Sequence, residues 1–369
     1  MHTVRLVTLV IAVFAMACER QLPIVGGDSD FESEAAGSGA ASESNTRSNA
    51  APNLSSAQPM DPDCELSNLA VQSDGNVVDG TIYPGMRMID VEGDQLVFGM
   101  KDGVFKRAKQ PGGMPSLVSA IVAAEVAVQS GTIYFVPSYG MAPEYQHVQA
   151  VPLSGGVAAP LVVQGWPVEA ESIVRDEAAV YMTGDRNGCP AGQKLAIVNA
   201  AGSSRLVDIG CAIDLTAFGG TAYIVHRAER ARGYTISKLA PNATELEPLV
   251  PGGNEIRDHY ASGMSFTASE SYVYFVLGDA EDISREYLGA VPTTGGPIRV
   301  LAGPARGIDA IKAVGDAVYM TTLTPGCLYR YSERTGKVQT LAGRSNPVVT
   351  AADDAYLYLA SGIILRLAR

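Results

Sequence analysis

A short strand ending in an aromatic pair recurs through the chain, and a repeat of that kind constrains the fold more than any other feature of the sequence. It reads GTIYF at 131, AAVYM at 178, GTAYI at 220, YVYFV at 272, DAVYM at 316 and AYLYL at 355, with QLVF at 95 as a degenerate first copy. Taking Val97, Tyr134, Tyr181, Tyr223, Tyr274, Tyr319 and Tyr358 as equivalent gives seven copies, spaced 37, 47, 42, 51, 45 and 39 residues apart. Spacings of that size suit four strands per copy.

Each aromatic strand is followed by a second strand, a turn and a third, as in QAVPLSGGVAAPLV and GAVPTTGGPIRVLA, and preceded by a short strand such as RMIDV, ESIVR or AIKAV. The pairs Gly112-Gly113, Gly155-Gly156 and Gly295-Gly296 read as tight turns between antiparallel strands. No helical pattern follows them, so they are not phosphate loops. A lone four-stranded sheet leaves its faces wet, so the units must stack. In rhythm, residues 66–369 resemble the β-propeller superfamily, with a faint similarity to its YWTD-type repeats that lacks that motif's Trp and Asp. The expectation is an all-β, seven-bladed propeller of four-stranded antiparallel blades, its ring closed by an amino-terminal strand. Two segments compete for that strand, LSNLAVQ with Leu69 and VVDGTIY at 77–83.

The amino terminus carries a different signal. VRLVTLVIAVFAMA, residues 4–17, is one apolar run too short to span a bilayer and placed where a secretory signal belongs. It ends in Ala15-Met16-Ala17-Cys18, which resembles the lipobox of bacterial lipoproteins and implies lipid on Cys18 after removal of residues 1–17. The chain is then exported and anchored to the cell envelope, at the periplasm or the cell surface, or else secreted. Residues 18–62, rich in Ser, Ala, Gly, Asn and Glu, cannot bury enough apolar surface to fold and read as a disordered tether. The propeller domain is expected over residues 63–369.

Half of the net charge of −12 lies in residues 19–63, the tether and the residue after it. The body has no basic stripe, which excludes a nucleic-acid partner. Without Cys18 the cysteines form an even set in an oxidising compartment, Cys64, Cys189, Cys211 and Cys327. Cys189 and Cys211 fall on one rim and are expected to pair. Cys64 can reach Cys327 only if the later segment, 77–83, completes the last blade.

Strand alternation puts the b-to-c and d-to-a connections on one rim. From the strand-b aromatic to the terminal Leu of strand d is 20 residues in copy one and 22 in copy six, but 27, 25, 26 and 27 in copies two to five. Four adjacent copies therefore enlarge the same rim. Its candidate ligand-binding residues are Tyr139, Tyr145, His147, Trp166, Arg227, Arg230, Asp258, His259, Asp279 and Asp282. Aromatic surface with convergent polar groups is what recognition needs.

No nucleophile elbow and no metal-ligand spacing occurs, so neither a catalytic set nor a cofactor is expected. The oxygens of Asp279, Glu281 and Asp282 offer calcium ligands without the turn and distal Glu of a recognised loop. The favoured expectation is a monomeric envelope module that binds or scaffolds a protein or glycan partner. One alternative is a metal-dependent hydrolase or lactonase using Asp90, Asp214 and Asp309 at the channel mouth. A second is a purely structural envelope lipoprotein.

Overall fold

Every strand that the repeat predicts is present in a computed structural model that describes residues 53–60, 64, 77–79, 89–138, 147–166, 170–184, 193–210, 212–227, 234–250, 266–279, 282, 284–323, 326–342, 348–360 and 364–368. The strands form seven separate four-stranded antiparallel sheets, here I to VII in chain order, each with strands a to d. Strands a and b are Ile89–Glu92 and Gln95–Met100 in sheet I, Ala123–Gln129 and Thr132–Pro137 in II, Ala170–Arg175 and Ala179–Gly184 in III, and Ala212–Phe218 and Thr221–Arg227 in IV. They are Phe266–Ala268 and Tyr272–Gly278 in V, Ile308–Val314 and Ala317–Thr322 in VI, and Val348–Ala352 and Tyr356–Ala360 in VII.

Strand b of sheets III and VI is buried at every position. A strand covered on both faces reads as a continuous apolar run, which is why AVYMTG and AVYMTT do not alternate. The c-to-d turns need φ values closed to most side chains: Gly155 and Gly156 sit at +104° and +147°, Gly295 and Gly296 at +82° and +138°.

The expected closed ring is corrected. No sheet is closed or strongly curled into a ring; each ends after four strands, and Val77–Asp79 pairs with Ile364–Ala368 to supply the outer strand of sheet VII. Strands a of successive sheets bring Cα atoms within 8 Å of one another, as do those of VII and I, but strand pairing stays inside each sheet. The segment completing sheet VII is thus the later of the two sequence candidates, while Leu69 lies outside the described residues.

Strand a has a ladder partner on one side only, so N–H groups on its other edge need acceptors elsewhere. Side chains of a neighbouring sheet provide them. Asp90 Oδ2 accepts from Val128 N at 2.7 Å and Glu125 Oε2 from Ile173 N at 2.8 Å. The Glu286 carboxylate accepts from Ile308 N, and Thr267 Oγ1 from Ala313 N at 3.2 Å. Between sheets I and VII, Lys109 Nζ lies 2.5 Å from Asp353 Oδ2.

Residues 53–60, assigned to the tether by their composition, lie against sheet V. Gln58 forms a parallel bridge to Ala302 in strand d, with Gln58 N donating to Leu301 O at 3.0 Å and Gly303 N to Gln58 O at 2.9 Å. Met60 and Cys64 are buried with Leu288, Ile311 and Tyr329 of sheets V and VI. Cys64 is bonded to Cys327, with Cα atoms 6.1 Å apart and 263 residues between them in sequence. The disulfide and the use of residues 77–79 for the last sheet occur together, as the sequence argument requires. Cys18, Cys189 and Cys211 lie outside the described residues. Among the described residues no helix is long and apolar enough to cross a membrane.

Candidate functional site

The residue in register with Val97 and with each equivalent strand-b Tyr is Asp90, Ala127, Val174, Thr216, Thr267, Lys312 and Ala351 in sheets I to VII. All seven line one cavity of about 340 Å³ between the first strands. Five of these positions are neutral, so the two charges stand out against a small or apolar wall.

Asp90 is fully engaged. Its Oδ1 accepts from Val91 N at 2.8 Å and Arg175 Nη2 at 2.9 Å, and its Oδ2 from Val128 N at 2.7 Å and Arg175 Nε at 2.6 Å. Four bonds fill the acceptor sites of a carboxylate, two of them in the bidentate form that Arg favours. Arg175 also donates to Val91 O at 2.6 Å, so a side chain of sheet III is fastened to sheet I past sheet II.

Lys312 is different. Among the described residues no hydrogen bond or ion pair reaches its ammonium. Lys312 is half-buried and lines the cavity, and burial lowers its pKa; Asp90 works against the shift and Arg175 adds to it. Beyond Arg175 the cavity is lined by Asp176, whose carboxylate is taken up by Ala178 N, Ala179 N and Gly220 N at 2.8, 3.0 and 2.6 Å. Glu177 and Phe218 both line the cavity and are exposed, so they mark its mouth at the a-to-b turns. That is the opposite end of the sheets from the enlarged connections.

Of the carboxylates that a hydrolase would use, only Asp90 lines the cavity. Asp214 is buried, with Oδ1 accepting from Leu215 N at 2.8 Å, and burial raises the pKa of Asp309. Among the described residues no three His, Cys, Asp or Glu side chains are grouped to hold an ion.

The b-to-c connections span residues 138–148, 185–193, 228–233 and 279–285 in sheets II to V, against 101–102, 323–327 and 361–363 in I, VI and VII. Tyr139, Tyr145, Arg230, Asp258 and His259 lie outside the described residues. Arg227 ends strand b of sheet IV. His147 is half-buried ahead of strand c of sheet II, its carbonyl accepting from Gln149 Nε2 at 3.1 Å. Trp166 packs against the buried cluster that holds Val163 and Ile173, and among the described residues its buried indole N–H meets no acceptor. Asp279 and Asp282 share a connection and serve it: Asp279 Oδ2 stands 3.6 Å from Arg285 Nη1, and Asp282 Oδ1 accepts from Ser284 Oγ at 2.6 Å and Ser284 N at 3.0 Å. Those two Ser284 bonds, the hydroxyl first, lower the pKa of Asp282.

Sequence reasoning missed Lys312 and Arg175. The offset from Asp90 to Val97 is the offset from Lys312 to Tyr319, so aligning the copies on their strand-b positions would have found Lys312, though not Arg175, whose sheet has Val174 at that place.

No family model matches the chain, and no curated protein does. Among solved structures, the β-propeller domain of the Trilobed protease from Pyrococcus furiosus, described as having an open velcro topology, is 11% identical with a TM-score of 0.55, over 77% of this chain and 94% of that one. The WD40 β-propeller domain of Doa1 is 12% identical with a TM-score of 0.53, over 79% and 94%. A prolyl endopeptidase is 17% identical with a TM-score of 0.53, and the match covers 74% of this chain and 43% of that enzyme. At such identities the likeness is one of fold alone: the many four-stranded sheets of this chain are arranged in a way that resembles the β-propeller superfamily.

Proposed function

We propose that the chain is an exported binding or scaffolding module, held at the envelope by lipid on Cys18, that presents the enlarged rim of sheets II to V to a protein or glycan partner. The observation that supports this reading is the length of the b-to-c connections, eleven, nine, six and seven residues in the adjacent sheets II to V against two, five and three in I, VI and VII, with the longest in II and III. Loops set on a rigid frame are where recognition residues collect. The frame here is a set of four-stranded sheets joined by buried side chains and, at several junctions, by charge-assisted hydrogen bonds.

The test is a triple variant, Trp166→Ala with Tyr145→Ala and His259→Ala, in the full-length exported chain. Wild-type protein is screened against envelope glycans and by in-cell crosslinking, and any partner found is titrated with both proteins. The variant should lose at least about tenfold in affinity; because Trp166 packs on a buried cluster, its thermal midpoint should fall, so Tyr145→Ala with His259→Ala is titrated as well and should lose affinity with the midpoint kept. Equal affinity would place the partner elsewhere.

A further inference from the structure

We propose that the cavity between the first strands binds a small organic carboxylate, its charged end on Lys312 and its apolar body against the cavity walls. Of the charged groups that line the cavity, Asp90 and Arg175 satisfy each other, Asp176 is spent on backbone N–H groups, and Glu177 stands at the mouth. Lys312 alone is enclosed with neither an acceptor nor a counter-charge in hydrogen-bond contact among the described residues. An enclosed ammonium in that state is costly, and an entering anion would relieve it.

The neighbouring equivalent position supplies a second donor. Thr267 is buried, lines the cavity, and accepts from Ala313 N at 3.2 Å, which leaves its hydroxyl hydrogen to give. Lys312 and Thr267 come from adjacent sheets at the same register, and both line the cavity. The rest of the lining is mixed: small apolar residues, Ala127, Val174, Ala268, Ala313 and Ala351, stand with the hydroxyls of Thr216 and Thr350. About 340 Å³ falls at the small end of ligand cavities, which run from about 300 to 1,000 Å³. One unpaired cation beside small apolar side chains and hydroxyls suits a monoanion with a short hydrocarbon body, and Asp90, with its acceptor sites filled, offers nothing to a cation. Entry is at the a-to-b end beside Phe218, so this site and the loop-bearing rim face opposite ways.

The experiment is calorimetric titration of the full-length chain with hexanoate, 1-hexanol and inorganic phosphate, repeated with Lys312→Met and Thr267→Val. Hexanoate should bind at one site, and hexanol, which has the same body without the charge, at least about thirtyfold more weakly, the loss expected when a buried charge partner is removed. Phosphate should also bind more weakly than hexanoate. K312M should lose hexanoate to the same degree and keep or raise its thermal midpoint, since it removes an enclosed charge; T267V should lose a smaller factor. The proposal is overturned if hexanoate fails to bind in the millimolar range, if hexanol or phosphate binds the wild type as tightly, or if K312M binds hexanoate like wild type. The wild-type comparison of hexanoate with hexanol stands even if a variant fails to fold.

Discussion

Asp353 shows how much one side chain can do at a junction. Its Oδ1 accepts from Ala355 N and Tyr356 N at 2.9 and 2.8 Å, setting the a-to-b turn of sheet VII, while Oδ2 takes the Tyr358 hydroxyl at 2.9 Å and the Lys109 ammonium of sheet I. Partial burial by itself raises the carboxyl's pKa, but the Lys109 ammonium, the two turn N–H groups and the phenol outweigh it and hold the pKa down at about 2. A folded-state pKa below the unfolded one contributes stability that is complete above about pH 4 and is lost as pH falls through about 2. Asp353→Asn should therefore lower stability at pH 7 by about 1–3 kcal/mol, the range for hydrogen bonds to charged groups. The gap from wild type should close between pH 4 and pH 2, as read from urea unfolding across that range. A gap that persists at pH 2 would mean that the loss comes from packing and not from charge. Asp176 builds the same turn in sheet III, also five residues ahead of a strand-b tyrosine, Tyr181, whose hydroxyl lies 3.4 Å from Asp176 Oδ2. These pairs are visible in the sequence as Asp ahead of a Tyr strand, but the partner across the junction, Lys109, is not: it lies 244 residues away and nothing local marks it.

At the scale of elements, the seven a–b hairpins were legible because each carries its own signal, a β-branched and aromatic run bounded by Gly, Asp or Ser. The pairing of Gln58 with strand d of sheet V was not. One parallel bridge needs no periodicity, and the flanking Ser, Ala and Pro residues have the composition of the tether. Connection length was legible from spacing alone, and its shortest instance is the b-to-c turn of sheet I, residues 101–102. Gly103 follows it with φ +139°, where an added Cβ would lie 2.1 Å from Ser119 O. Both the backbone conformation and the contact are closed to a side chain, and the contacting atom is a backbone carbonyl that cannot swing away. Gly103→Ala should cost at least about 2 kcal/mol, within the scale of backbone strain at such sites. Gly93→Ala, with φ +56° and open space around its Cβ, should cost less. Equal denaturation midpoints for the two variants would refute the steric argument and leave backbone strain alone.

Over the whole molecule, what the sequence could not express is anything made jointly by all seven sheets. The cavity exists only when every strand a is in place, and its two enclosed cations come from sheets III and VI, so no window of sequence contains the site. The amino-terminal segment raises the same question of long-range order. It pairs with sheet V through Gln58, is buried between V and VI at Met60 and Cys64, is bonded to Cys327, and ends by pairing Val77–Asp79 with the last strand of sheet VII. Three of the seven sheets therefore depend on residues that precede the repeat. The disulfide alone should contribute about 2–4 kcal/mol by limiting the unfolded chain. Removing residues 1–88 should cost more, because it also uncovers the edge of Ile364–Ala368, a row of backbone donors and acceptors open to another chain. A chain of residues 89–369 should then unfold at lower denaturant and associate with itself in size-exclusion chromatography with light scattering. Cys64→Ser with Cys327→Ser, which keeps the edge covered, should be destabilised yet stay monomeric. If the double variant associates like the truncated chain, the disulfide holds Val77–Asp79 in place and edge coverage depends on it; if neither associates, the edge of sheet VII is protected by something other than the amino-terminal strand.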